Sequence, residues 1–278
     1  MTRSLSCVVL ALVASCGGGN DSGDDAASDG GTDGKQVDAD TSGLGKFSFF
    51  ATSLKALKQL SGNPLGFGGN LTYGETGAGA GLRGADKICT AIAEISMPGS
   101  GAKTWHAFLS VGADANGQPV NAIDRIGNGP WYDRTGRLLA QSKAMMMGIR
   151  PTGGDATILN NFPNEDGVPN HNPDGTGDVD NHDFLTGANS SGGLYAANAN
   201  CLDWTANAGD KTLEGRPRVG HSWGRGMGGQ MDSWMSSLTE SGCAPSVDLI
   251  EMGPPSNTAN TVGNGGGYGG FYCFALTP

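Results

Sequence analysis

The chain has 278 residues, of which 49 are glycine and only 16% are charged, and its formal net charge is -10. This composition argues against a helical bundle and for a loop-rich fold with many turns and short strands. The acidic balance argues against nucleic acid or an anionic membrane surface as a partner of the folded part, since both require a basic face.

The first element in chain order is a leader. Arg3 is followed by a short apolar run, Cys7 to Val13, and by the small-residue stretch Val13-Ala14-Ser15-Cys16, the layout of an export signal with its cleavage site. The run is too short to span a bilayer. It resembles the bacterial lipobox, which implies a signal peptide over residues 1–15, lipidation of Cys16, and a membrane attachment made through that lipid alone. Gly17 rather than Asp after the cysteine implies sorting to the outer membrane or cell surface. Residues 16–45 hold the lipidated cysteine and then almost nothing that can be buried. All seven acidic residues in the first 45 positions are Asp, interspersed with Gly. Such a segment cannot repay the entropy of ordering, so a flexible tether is expected, with a reach on the order of 30 Å.

The globular domain is expected over residues 46–278. Lys46 to Ser53 (KFSFFATS) is aromatic-rich and bounded by Gly, which predicts a first strand. From Gly84, the apolar positions Ala85, Ile88, Cys89, Ile92 and Ala93 follow helical spacing and the run stops before Pro98, which predicts one amphipathic helix with a cysteine on its buried face. Thr104 to Val111 (TWHAFLSV) reads as a buried strand and Phe271 to Leu276 (FYCFAL) as a C-terminal strand. Elsewhere turn residues interrupt every apolar run. The fold class is therefore α+β, mostly β and loop, with one clear helix near its start.

With Cys7 removed and Cys16 lipidated, Cys89, Cys201, Cys243 and Cys273 remain, an even number that implies two disulfides in an exported chain. Spacing leaves all three connectivities open. None of the four stands in a Cys-x-x-Cys pair or beside a histidine ligand pair, so the sequence gives no ground for structural zinc or redox chemistry on them.

Several short motifs occur in order: GLRGADKICTAIAE, TWHAFLS, DRIGNGPWYDRTGRLLA, LTG, CLDWT, the Ser233-Trp234 pair, the isolated Cys243 and the closing YCFAL. Together they resemble the endostatin-type branch of the C-type lectin-like fold, over most of residues 46–278. The resemblance implies a nested pairing, with Cys89 joined to Cys273 outside and Cys201 to Cys243 inside. Two features of that fold family are missing. Gln118-Pro119-Val120 and Phe162-Pro163-Asn164 lack the carboxylate through which sugar-binding members hold calcium, and no histidine cluster follows the tether.

Catalytic readings fare poorly. Gly220-His221-Ser222-Trp223-Gly224 matches the nucleophile elbow of α/β-hydrolases, but glycines follow where a helix is required, and all four histidines (106, 171, 182, 221) precede Ser222, against the order that family needs. His221 and Trp223 are read instead as parts of a packed loop. Gly79 to Gly84 (GAGLRG) matches a dinucleotide-binding turn, but no βαβ unit surrounds it, so it is read as a flexible entry to the helix. Glu165 and Asp166 are adjacent and cannot flank a glycosidic bond. Arg125 and Asp203 are read as structural hydrogen-bonders. Trp105, Trp204 and Trp234 are expected inside as core filler, and Trp131, after Gly129-Pro130, is expected to be partly exposed.

One stretch has calcium-loop spacing. With Asn170 as position 1, Asn170, Asn172, Asp174, Asp178 and Asn181 supply oxygens at positions 1, 3, 5, 9 and 12, Gly175 stands at 6, Thr176 offers its carbonyl at 7, and Asp180 or Asp183 can substitute as a charged ligand. The run NPDGTGDVDN also resembles the calcium repeats of thrombospondin. Calcium is therefore the one cofactor expected, with no organic cofactor. A lipid anchor, a tether and a stapled loop-rich domain suggest a non-enzymatic, surface-displayed recognition or adhesion module for a glycan or protein ligand. An envelope-acting hydrolase and a purely structural envelope protein are the alternatives.

Overall fold

A computed structural model of the chain describes residues 45–171, 179–250 and 254–278. The leader, Cys16 and the tether up to residue 44 lie outside the described residues. The fold is α+β, mostly strands and loops with few helices, and it carries two disulfides, Cys89–Cys273 and Cys201–Cys243. Among the described residues no helix is long and apolar enough to cross a membrane.

The chain enters through β1 (Phe49–Ala51) and turns at once into α1 (Leu54–Ser61). Ser53 caps that helix by accepting from the Ala56 amide, and Gly62, at φ 65°, ends it in the left-handed conformation that glycine adopts without strain. The sequence reading had no helix here. Eight residues with Leu57 as the only buried one are too few to show a helical period, and the two caps were the available signal. Glu165, far away in sequence, accepts from the Ser53 amide and hydroxyl. Burial raises its carboxyl above the usual range, and the two Ser53 hydrogen bonds oppose that rise.

The predicted amphipathic helix is α2 (Ala80–Ser96), with Ile88, Cys89, Ile92 and Ala93 on its buried face. It starts four residues earlier than the sequence suggests, and its glycines are packing positions, not a flexible entry. A Cβ on Gly81 would sit 2.0 Å from the Asp203 carbonyl, and one on Gly84 2.1 Å from the Thr72 carbonyl. Asp86, on the same helix, binds Arg125 through both carboxylate oxygens and accepts from the Ala107 amide. That ties α2 to β2 (Trp105–Ala107).

After β2 come the two-stranded pair β3 (Trp131–Tyr132) and β4 (Leu138–Ala140), then β5 (Asp183–Leu185), β6 (Arg218–His221), β7 (Leu238–Thr239) and β8 (Gly267–Ala275). The main sheet runs β1-β8-β5-β6-β7, and β2 also pairs with β8. β8 is antiparallel to β1 and β2 and parallel to β5, and all nine of its residues are buried. It begins four residues before the predicted Phe271. Glycines lower strand propensity, which hid the first half. Here they are required: Gly269 lies at φ 73° beside the register shift against β5, and a Cβ on Gly270 would press within 2.9 Å of the Phe184 ring.

The core is aromatic, as expected for a chain poor in aliphatics. Phe108, Phe162, Tyr272 and Phe274 pack around Trp234, and Phe49 and Phe184 pack against these in turn. Trp105, Trp204 and Trp234 are inside, as predicted. Trp131 is inside too, contrary to the expectation of partial exposure. Its ring meets Phe274 edge-on at 5.6 Å, and its indole donates to the Ile126 carbonyl. The turn before it directs the ring inward. Each of these four tryptophans donates to a backbone carbonyl, so none buries an orphaned N–H.

Cys201 to Trp204 form a single left-handed turn, with φ of 52°, 53°, 53° and 64°. Such a turn costs about 1–2 kcal/mol per residue and persists only when the surroundings hold it. Asn200 accepts from the Asp203 amide, the Asp203 carboxylate accepts from Gly112 and Ala113, and the Cys201–Cys243 disulfide anchors the first residue. Asp203 and Arg125 are thus structural hydrogen-bonders, as read. The two disulfides close loops of 184 and 42 residues. In the chain-entropy view, removing the outer bridge as C89A/C273A costs about 5 kcal/mol and removing the inner one as C201A/C243A about 4 kcal/mol. Urea denaturation of the two double variants checks this order, and a larger loss from the inner pair would contradict it.

Candidate functional site

Asp183 opens β5 and His221 closes β6, and the antiparallel ladder makes them direct cross-strand partners. Their side chains meet at 3.1 Å between Asp183 Oδ1 and His221 Nε2. His182, one residue earlier, brings its Nε2 to 3.5 Å from the same oxygen. The two imidazoles cross edge to face with centroids 4.2 Å apart. On their outer sides, Asp180 lies against His182 Nδ1, and Ser237 Oγ is 3.4 Å from His221 Nδ1. Glu240 completes the cluster beside Asp183. Asp180, His182, Asp183, His221 and Glu240 are all buried.

The backbone around these groups is shaped for them. A Cβ on Gly265 would fall 2.6 Å from Asp183 Oδ2, and one on Gly266 would fall 2.2 Å from Asp180 Oδ1. The glycine run before β8 therefore lets the chain close over the carboxylates. Arg150 clamps the end of β6 by donating to the His221 and Ser222 carbonyls. Burial lowers its guanidinium to about 10, which still leaves it charged.

Electrostatics in the cluster are divided. Burial pushes Asp183 up, but the imidazoles of His182 and His221 outweigh it and hold the carboxyl below the usual range. Burial and the adjacent Asp183 charge push Glu240 well above that range. Burial also lowers His221, which favours the neutral ring. Despite the short distances, both oxygens of Asp180 and Asp183, both nitrogens of His182 and Nε2 of His221 have no hydrogen bond of acceptable geometry. Buried polar atoms are ordinarily satisfied, so such a concentration calls for an explanation. Among the described residues, His182, Asp183 and His221 are the group that could hold a metal ion, with donor atoms within 4.8 Å of one another.

A cleft of about 690 Å³ adjoins the cluster, lined by His171, Val179, Asp180, Trp223, Arg225, Met227 and Ile250. Trp223 stacks on His171 at 3.8 Å and lies 5.1 Å from His182, and its indole donates to Asn181 Oδ1. Asp180 is thus shared, lining the cleft while touching His182.

Of the predicted calcium ligands, the described ones are Asn170 and Asn181, which hold each other. The Asn170 amide donates to the Asn181 carbonyl and to Ser222 Oγ, its Oδ1 accepts from the Tyr268 hydroxyl, and the Asn181 amide donates back to the Asn170 carbonyl. Asn172, Asp174, Thr176 and Asp178 lie outside the described residues. Ser222 is buried and follows a strand, with its hydroxyl engaged by Asn170, so the nucleophile-elbow motif has neither the turn nor the exposure it needs. His221 belongs to strand β6, not to a loop as the sequence reading had it. Sequence reasoning offers Asp180 and Asp183 only as substitute ligands of the calcium loop and does not join them to a histidine. The cluster's donors are split between residues 180–183 and 221, and only the sheet register joins them. The one local signal was Asp180-Asn181-His182-Asp183, hidden at the end of an Asp/Asn-rich run.

No protein-family profile and no curated protein sequence matches the chain.

Asn170→Asp keeps the side-chain shape but turns a donor aimed at two oxygens into a buried carboxylate. A loss of about 3 kcal/mol is expected, since the carboxylate keeps the Tyr268 hydroxyl but is buried against the oxygens to which the amide had donated. Denaturant titration measures it, and a variant as stable as the parent would show that Asn170 does not hold this segment.

Proposed function

We propose that the chain is a lipid-anchored, surface-displayed lipoprotein whose domain has the C-type lectin-like, endostatin-like fold and serves as a non-enzymatic recognition module for a glycan or protein ligand. The fold reading is supported by the disulfides, since the pairing implied by the resemblance is the pairing the domain carries. The recognition reading rests on the cleft beside Trp223. It has a stacked aromatic floor of His171 and Trp223, and Met227 and Ile250 stand 67% and 72% exposed at its edge. Concave sites with apolar lining and a few polar groups are where ligands bind, and large apolar side chains left in water mark contact surfaces. Asp180 and Arg225 supply opposite charges within the same cleft.

A glycan and protein array probed with residues 46–278 tests this reading, alongside the double variant M227D/I250D. Because both side chains are exposed, the variant is expected to keep its melting temperature and to lose about tenfold or more in affinity for whatever the parent binds. A silent array together with turnover of envelope polymers would favour a hydrolase, and unchanged binding by the variant would move the site elsewhere.

A further inference from the structure

The buried cluster behind the cleft is not used by the recognition reading. We propose that His182, His221 and Asp183 form a binding site for a divalent transition metal of the zinc class, with Asp180 and Ser237 as the outer groups that orient the two imidazoles.

Three observations carry this. The first is the donor geometry. Bonds of about 2.0 to 2.2 Å to a tetrahedral zinc separate its ligand atoms by roughly 3.3 to 3.6 Å. Asp183 Oδ1 lies 3.1 Å from His221 Nε2 and 3.5 Å from His182 Nε2, and the three donors fall within one sphere of contact. The 3.5 Å separation falls within that range and the 3.1 Å separation just below it.

The second is the orientation of the rings. Both imidazoles turn Nε2 toward Asp183. Both turn Nδ1 away, one to the Asp180 carboxylate and the other toward Ser237 Oγ. A metal-bound histidine ordinarily has its outer nitrogen held in this way, most often by a carboxylate, which fixes the tautomer and strengthens the inner nitrogen as a donor.

The third is charge. Asp180 and Asp183 are both almost fully buried, and both face the two imidazoles. Two buried carboxylates side by side are costly, and one divalent cation brings compensating charge. Two imidazole nitrogens and one carboxylate oxygen favour zinc and its neighbours over calcium or magnesium, which take oxygen ligands. The ion therefore differs from the one expected of the oxygen-only stretch 170–181, from which the site takes Asp180 as an outer group. Because the ligands are closed off from solvent, the ion enters as the chain folds and joins the start of β5 to the end of β6.

The test uses the full chain, expressed with zinc in the medium, dialysed and analysed for metals by inductively coupled plasma mass spectrometry. About one equivalent of zinc per chain is expected in the parent and in H106Q, whose histidine lies outside the cluster, with loss of the ion from H182Q and from H221Q. Parent protein unfolded with a chelator and refolded without metal should melt several degrees lower, and refolding it with zinc should restore the melting temperature. If the ligand variants fail to fold, cobalt(II) replaces them as the probe. Parent protein refolded with cobalt is expected to show the intense visible bands of a low-coordinate nitrogen and oxygen site. A parent that retains only traces of zinc and melts at the same temperature with and without it would overturn the proposal. So would zinc retained equally by H182Q and H221Q, or a cobalt spectrum unchanged from that of the aqueous ion.

Discussion

The C-terminal strand β8 meets β1, β2 and β5 along its length, and every one of its residues is withdrawn from water. Its second half is held by antiparallel partners on β1 and β2 and by the Cys89–Cys273 bridge to α2. Its first half runs parallel to β5, which in turn positions β6 and β7. The pairings of this strand are therefore almost all long-range in sequence. The loop-closure entropy they demand is offset by aromatic burial and by the outer disulfide, which spans 184 residues. A domain with so few aliphatic side chains depends on this arrangement. Tyr272 and Phe274 on β8 touch Phe49, Phe108, Phe162, Phe184, Trp131 and Trp234, so one strand organises the aromatic core.

The same strand sets the polar cluster. Its glycine-rich entry passes over Asp180 and Asp183 more closely than any side chain would allow, and the β5 to β6 register then places His221 opposite Asp183. A fold built this way has an apolar end, where β8 is bridged to α2, and a charged end, where β5, β6 and the 263–267 turn enclose two histidines and three carboxyl groups. The cleft opens beside the charged end, with Asp180 reaching both. A ligand in the cleft would therefore lie next to ionisable groups that are held out of water.

Much of the scaffold could be read from the sequence, because its signals are local. Helix α2 announced its buried face by spacing, the tryptophans were assigned to the core for want of aliphatics, and the motif order implied the disulfide pairing that the domain carries. What escaped was non-local or masked by glycine. Helix α1 is too short to show a period. The first half of β8 looked like a loop, since Gly267, Gly269 and Gly270 are there for close approach and for one positive φ. Trp131 was expected at the surface because a Gly-Pro turn precedes it, whereas the direction of the turn, not its existence, decides where the ring goes. The histidine cluster could not be found by spacing at all, because Asp183 and His221 become neighbours only through sheet register.

Strand β8, held on both sides through its second half, is expected to be the last part of the domain to open. Native-state hydrogen exchange tests this directly. The amides of Phe271 and Ala275 donate to Thr52 and Ser48, and that of Phe108 donates to Tyr272. These three are predicted to exchange only through global unfolding, with an opening free energy equal to that measured by denaturant, while the ends of α1 exchange through smaller local openings. Exchange of the β8 amides well below the global free energy, with α1 still protected, would contradict the account.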